Sequence, residues 1–144
     1  MALALSLGIG LAGCASRPSG RDRIVKAQPN CADQTVQIYF EPSSSEVTKE
    51  GRAVLTAAAA QVRPCKVTSV DVLGLADNVG GDAGTNLDLS KRRAQSVTNA
   101  LTAIGLPAAD FKLTAAGDTG ATTSRAESKP LRRRADVVLH LAAR

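Results

Sequence analysis

The chain has 144 residues, 44% of them apolar, which suffices for one compact domain and not for two once a leader and a linker are taken out. Only 2% are aromatic and tryptophan is absent, so a core must be assembled from Val, Leu, Ile and Ala. The net charge of +5, much of it in the run Arg132, Arg133 and Arg134, favours anionic partners, but the basic residues are not interleaved with stacking aromatics, which argues against nucleic acid.

Residues 2–12, ALALSLGIGLA, form an apolar run of signal-peptide length, well short of the roughly 20 residues that span a membrane. The run ends in LAGC, residues 11–14, with small residues ahead of a thiol. This resembles the bacterial lipobox, which implies cleavage before Cys14 and acylation of its sulfur. It departs from the pattern in having no Lys or Arg before Cys14. Ala15 and Ser16 follow, in place of the aspartate that marks inner-membrane retention in many bacteria, so the expectation is an outer-membrane lipid anchor with the domain facing the periplasm. Residues 16–30 are rich in Pro, Gly, Ser and charge without periodicity and read as a flexible tether. The expected division is a signal peptide at 1–13, a lipidated N-terminus and tether at 14–30, and a folded domain at 31–144.

Cys31 and Cys65 each stand just before a predicted strand. If those strands are parallel neighbours, a disulfide joins their starts; the alternative is two separately buried thiols. The oxidising compartment reached by an exported chain favours the bond. With Cys14 assigned to lipid, two cysteines and one histidine cannot make an ordinary structural zinc site without carboxylates, and no metal or cofactor is expected.

Val36, Ile38 and Phe40 alternate in residues 34–40, a strand pattern. Ser43 and Glu46 have capping-box spacing, and Val47, Leu55, Ala58 and Val62 share a helical face before Pro64, which predicts a first helix. Residues 66–74, KVTSVDVLG, are a second β-branched strand, and the Gly-rich loop 76–86 follows. Residues 87–105 predict a second helix stopped by Gly105, and residues 111–116 and 133–141 two further strands. The fold class is therefore α+β, a two-layer sandwich with a mixed four-stranded sheet in βαβαββ order and helices on one face.

On the second helix Leu89, Ala94, Val97, Leu101 and Ile104 form an apolar arc, and Arg93 falls inside it while Arg92 points away. A guanidinium facing a core needs an anion, either internal or brought by a ligand. Asp77 stands at the mouth of the Gly-rich loop. The two either form an internal salt bridge or flank a cleft that takes a zwitterion, the ammonium at Asp77 and the carboxylate at Arg93.

Residues 74–97, GLADNVGGDAGTNLDLSKRRAQSV, carry glycine, aspartate, glycine and asparagine, then LS and RA before a helix. This ordered run resembles the OmpA-like peptidoglycan-binding domain family, to which the peptidoglycan-associated lipoproteins belong, and the likeness covers residues 31–141. It implies that Asp77 and Arg93 hold the diaminopimelate of the peptidoglycan stem peptide, and that Arg132–Arg134 replace the family's NRR segment. The candidate binding set is Asp77, Arg93, Asn86, Leu75, Phe40 and Arg133. Ala76 replaces a common threonine, and the loop to Asn86 is one residue longer than usual. Asn86 is expected to tie this loop to backbone by side-chain hydrogen bonds.

A hydrolase would need a nucleophile, a base and an orienting group, yet the sole histidine, His140, falls in the last strand, far from the loop. Asp77 and Asp82 lack an apolar wall to raise either pKa. The reading is a non-enzymatic outer-membrane lipoprotein that binds peptidoglycan without covalent chemistry. A rival reading is an envelope scaffold that docks Tol-type periplasmic proteins.

Overall fold

The computed structural model describes residues 29–144 except positions 80, 107–109, 126 and 128. The leader, Cys14 and the tether up to residue 28 lie outside the described residues.

Among the described residues, four strands and two helices follow in the order β1 (Gln34–Tyr39), α1 (Lys49–Gln61), β2 (Lys66–Gly74), α2 (Ala83–Ala103), β3 (Asp110–Ala115) and β4 (Arg134–Ala142). A short 3₁₀ turn, Pro130–Arg132, leads into β4. The sheet order is β1-β4-β2-β3, with β2 parallel to β3 and β4 antiparallel to both β1 and β2. The expected α+β two-layer sandwich with a mixed sheet is what forms. Both helices cover one face, where Ile38, Leu55, Val70, Val72, Val97, Leu101, Val137 and Leu139 build a core of aliphatic side chains. Alternation along β4 shows the division: Ala135, Val137 and Leu139 are buried, while Asp136, Val138 and His140 face away.

Two helix starts differ from the sequence expectation. Helix α1 is capped by Thr48, whose Oγ1 accepts from Gly51 N at 3.0 Å, and not by Ser43. Ser43 has φ +55, and Ser44 Oγ instead accepts from Glu46 N, so residues 41–46 make a separate turn. Helix α2 starts at Ala83, four residues early, because Asp82 Oδ1 accepts from Thr85 N at 2.7 Å. That cap offsets the poor helix propensity of Gly84, Thr85 and Asn86. The end of α2 is as expected. Gly105, at φ +75, donates to Thr102 O, and Leu106 N reaches Leu101 O, which makes a Schellman stop.

Cys31 and Cys65 are disulfide-bonded, with a Cα–Cα distance of 5.7 Å. The geometry behind the bond is not the expected one, since β1 and β2 are parallel but not neighbours, and β4 lies between them. The segment before β1 crosses the end of β4 to reach Cys65. Asp33 holds it there, accepting from Leu141 N at 2.9 Å and meeting His140 Nδ1 at 2.7 Å. Arg144 Nε donates to the Cys65 carbonyl at the same end.

Candidate functional site

The candidate residues gather at the opposite end of the sheet, where β1 and β2 finish and β4 begins. Gly74 ends β2 beneath α2. A Cβ there would stand 1.9 Å from the Ser90 carbonyl oxygen, so only glycine lets the helix backbone come this close. Ser90 is fully buried; its Oγ donates to Leu87 O at 2.8 Å and accepts from Gly117 N at 3.0 Å. Ala76 N in turn donates to Gly117 O, and Leu75 N to Arg134 O. These bonds stitch the exits of β2 and β3 and the entry of β4 into one floor.

Arg93 lies under that floor with no exposed surface, as its place on the apolar arc predicts. The expectation that it needs a carboxylate is not met inside the protein: among the described residues it forms no salt bridge, and the Asp77–Arg93 pair does not form. Backbone carbonyls hold it instead. Nη1 donates to Leu75 O at 2.8 Å, Nε to Ser44 O at 2.9 Å, and Nη2 to Glu41 O at a long 3.4 Å. The turn at 41–44 thus aims its carbonyls at the guanidinium, whose carbon also sits 5.1 Å from the centre of the Phe40 ring. Burial pushes the guanidinium below its ordinary pKa, with the nearby Asp77 charge opposing and Arg133 adding to the shift. It remains a cation. Three of its five N–H groups are used, so its fork is not exhausted.

Asp77, 4% exposed, pairs with Arg133, Nη1 to Oδ2 at 3.1 Å. The three consecutive arginines diverge: Arg132 donates to Thr119 O, Arg133 to Asp77, and Arg134 to Asp136 on the face away from the helices. Asn86 is 2% exposed, and its Nδ2 donates to Gly81 O at 3.3 Å and to Asp118 Oδ2 at 3.0 Å. The first bond is the loop tie that the sequence suggests. Asp82 is the α2 cap, its carboxyl held below the usual range chiefly by the Thr85 backbone N–H. His140 lies at the disulfide end, away from this cluster.

Sequence reasoning missed Gly74, Ser90, Gly117 and Asp118 as builders of the site. Ser90 carries the same signal as Arg93, a polar residue facing the core from α2. The roles of Gly117 and Asp118 depend on how the chain after β3 folds back, which no local pattern announces.

The OmpA family matches residues 39–136, from the end of β1 into β4. The chain belongs to the OmpA family. Among relatives of this OmpA-family chain, the probable lipoprotein YiaD of Escherichia coli is 32% identical over 120 residues, covering 82% of the chain and 52% of that protein. The chain therefore spans about half the length of that relative. The outer-membrane lipoprotein YfiB of Pseudomonas aeruginosa is 30% identical over 131 residues, covering 81% of the chain and 77% of that protein. Among solved structures, the cell wall anchor of the T6SS from Pseudomonas aeruginosa superposes with a TM-score of 0.61 at 26% identity, covering 76% of this chain and 82% of that one. The peptidoglycan-associated lipoprotein from Burkholderia pseudomallei shares the fold at a TM-score of 0.56 and 24% identity, over 71% of this chain and 87% of that one.

Proposed function

We propose that this OmpA-family domain holds peptidoglycan non-covalently, through the amino-acid head of a diaminopimelate residue, and is tied by lipid at Cys14 to the outer membrane with the domain in the periplasm. The observation that carries the reading is one buried carboxylate, Asp77, set among two guanidiniums, Arg93 and Arg133. That trio has one cation in excess, and a ligand with both an ammonium and a carboxylate can satisfy every member. Asp77 takes the ammonium and Arg133 the carboxylate, while Arg93, buried under the floor, adds its positive charge on the carboxylate's side. Leu75 and Phe40 shape the floor through the bonds and ring contact that fix Arg93, and Asn86 steadies the loop. The groups bind and orient; nothing in their chemistry requires a covalent step.

The names of the relatives, a probable lipoprotein and an outer-membrane lipoprotein, support the envelope setting. A tether of residues 14–30 reaches roughly 55 Å when extended, and acyl chains at about 0.8 kcal/mol per buried methylene fix its far end to a leaflet. The protein would then couple two layers by a lipid at one end of the chain and a grip at the other.

The test is sedimentation with purified sacculi of the full chain carrying Cys14→Ser, beside the same chain with Asp77→Asn or Arg93→Lys. The parent should sediment with the sacculi and both variants should remain largely in solution while keeping a folded circular dichroism spectrum. A parent that stays in the supernatant overturns the reading. For the anchor, intact mass of the membrane-extracted wild type should exceed the unmodified chain by its acyl groups, and Cys14→Ser should remove that excess.

A further inference from the structure

The contact between Asp77 and Arg133 is one-sided. A carboxylate and a guanidinium that meet along a shared edge make two parallel bonds, whereas Arg133 gives Asp77 a single bond from Nη1. Its Nε is buried and has no hydrogen-bond partner among the described residues. A buried N–H without an acceptor is unfavourable, so Arg133 in the free protein is an incompletely satisfied cation. Arg133 is the more accessible partner, its side chain 30% exposed against 6% for that of Asp77 at the loop mouth, so solvent can take up the displaced guanidinium and not the carboxylate. Arg93 is held by the carbonyls of Glu41, Ser44 and Leu75 and adds a like charge nearby.

We propose that Arg133 is a self-competing cation: it occupies Asp77 until the ammonium of an incoming amino-acid head displaces it, and it then takes that head's carboxylate. This deepens, and rests on, the reading of the site as the holder of a zwitterionic stem-peptide residue.

The consequence is selectivity by charge pairing. A ligand with an ammonium alone must evict Arg133 and leave it without a carboxylate in the neighbourhood of Arg93, which stacks positive charge in the site. A carboxylate alone finds Asp77 still occupied and gains only part of the available pairing. The zwitterion exchanges one single-bonded ion pair for two, supplies an acceptor for the Arg133 Nε edge and leaves the charge of the cluster unchanged. Arg133 is therefore a specificity-determining residue, and its removal acts in opposite directions on the two ligand classes. An ordinary contact residue lacks that signature, because deleting it weakens binding to everything it touches.

The test is calorimetric titration of the full chain carrying Cys14→Ser with meso-diaminopimelate and with its bis-carboxamide, which keeps both amines and lacks the carboxylates. The parent should bind diaminopimelate at least about tenfold more tightly than the bis-carboxamide. Arg133→Gln should bring the two within about threefold of each other, with a gain in affinity for the bis-carboxamide, and Arg133→Lys should keep the preference because the charge remains. If Arg133→Gln weakens both ligands, or the parent does not distinguish them, the self-competition is overturned. If the parent binds neither, the zwitterion reading itself fails and the self-competition falls with it. Asp77→Asn, which should bind neither, separates specific uptake from background heat.

Discussion

Gly74 and Ser90 meet backbone to backbone at the crossing of β2 and α2: a Cβ on Gly74 would lie 1.9 Å from the Ser90 oxygen and 3.2 Å from the Ala94 nitrogen. The closeness has a structural effect. It sets the height of α2 above the sheet, and Arg93, less than one turn beyond Ser90, reaches the Leu75 carbonyl only at that height.

Gly74→Ala should therefore lift α2, with a destabilisation of about 3 kcal/mol or more, since backbone cannot yield as a side chain does. At roughly 3–6 °C per kcal/mol for a domain of this size, the loss is readable as a fall of about 10 °C or more in the thermal midpoint. A midpoint within a few degrees of the parent would show that the helix adapts.

The Cys31–Cys65 bond closes a loop with a sequence separation of 34, for which the chain-entropy account gives about 4 kcal/mol. The double variant Cys31→Ser, Cys65→Ser should lose roughly that amount in a denaturant titration, and added reductant should lower the parent and leave the variant unmoved. The bond lies at the end of the sheet opposite Asp77, so ligand affinity of the folded variant should stay within about twofold. A larger change in affinity would mean that the two ends communicate.

How far the sequence anticipates this molecule differs from element to element. Strand β2 is read to the residue, Lys66–Gly74, because β-branched alternation is bracketed by Pro64 and Gly74. The N-terminus of α2 is hidden, because Gly84, Thr85 and Asn86 look like loop until Asp82 is seen to cap them. The position of β4 between β1 and β2 is not written in any local pattern, since it depends on which edges pair after collapse. At the site, the burial of Arg93 is legible from helical periodicity alone. Its partners are not, because they are carbonyls turned inward by residues 41–44, where Ser43 takes a positive φ that its side chain does not announce. The same holds for Asp77 and Arg133, which are 56 residues apart and meet only once the sheet is built.

His140 gives the disulfide end a pH response. Its Nδ1 lies 2.7 Å from Asp33, on the segment before β1, and its Nε2 lies 3.4 Å from Asp71 on β2. The hydrogen bond to Asp33, then that to Asp71, raises its pKa above the ordinary 6.5. A raised folded pKa contributes stability that is fully present below about 6.5 and is lost as pH climbs through the folded value. Asp33 sets the acid limit. Its pKa is lowered, first by the Leu141 N–H and then by His140, so its contribution stands above the ordinary 3.8 and fades as pH falls through the folded value. The denaturant midpoint of the parent should therefore drop between pH about 6 and pH about 9 by more than that of His140→Gln. Equal drops in the two proteins would mean that the His140 contacts to Asp33 and Asp71 do not contribute to stability.

Asn86 is the most direct handle on the loop that carries Asp77. Its Nδ2 donates both to Gly81 O and to Asp118 Oδ2, joining the turn before α2 to the chain after β3, and it does so while 2% exposed. Asn86→Ala leaves the Gly81 carbonyl and the half-buried Asp118 carboxylate short of a donor, a destabilisation of about 1 kcal/mol, and should speed hydrogen exchange at the amides of residues 81 and 82. Asn86→Asp should be worse at neutral pH, because it sets a second carboxylate against Asp118 at a distance where the donor stood. Acidification separates the two variants: protonating one of the facing carboxylates restores a donor, so Asn86→Asp should recover relative to Asn86→Ala as pH falls toward about 4. If the alanine and aspartate variants respond alike to acid, the Asp118 contact is not what holds the loop.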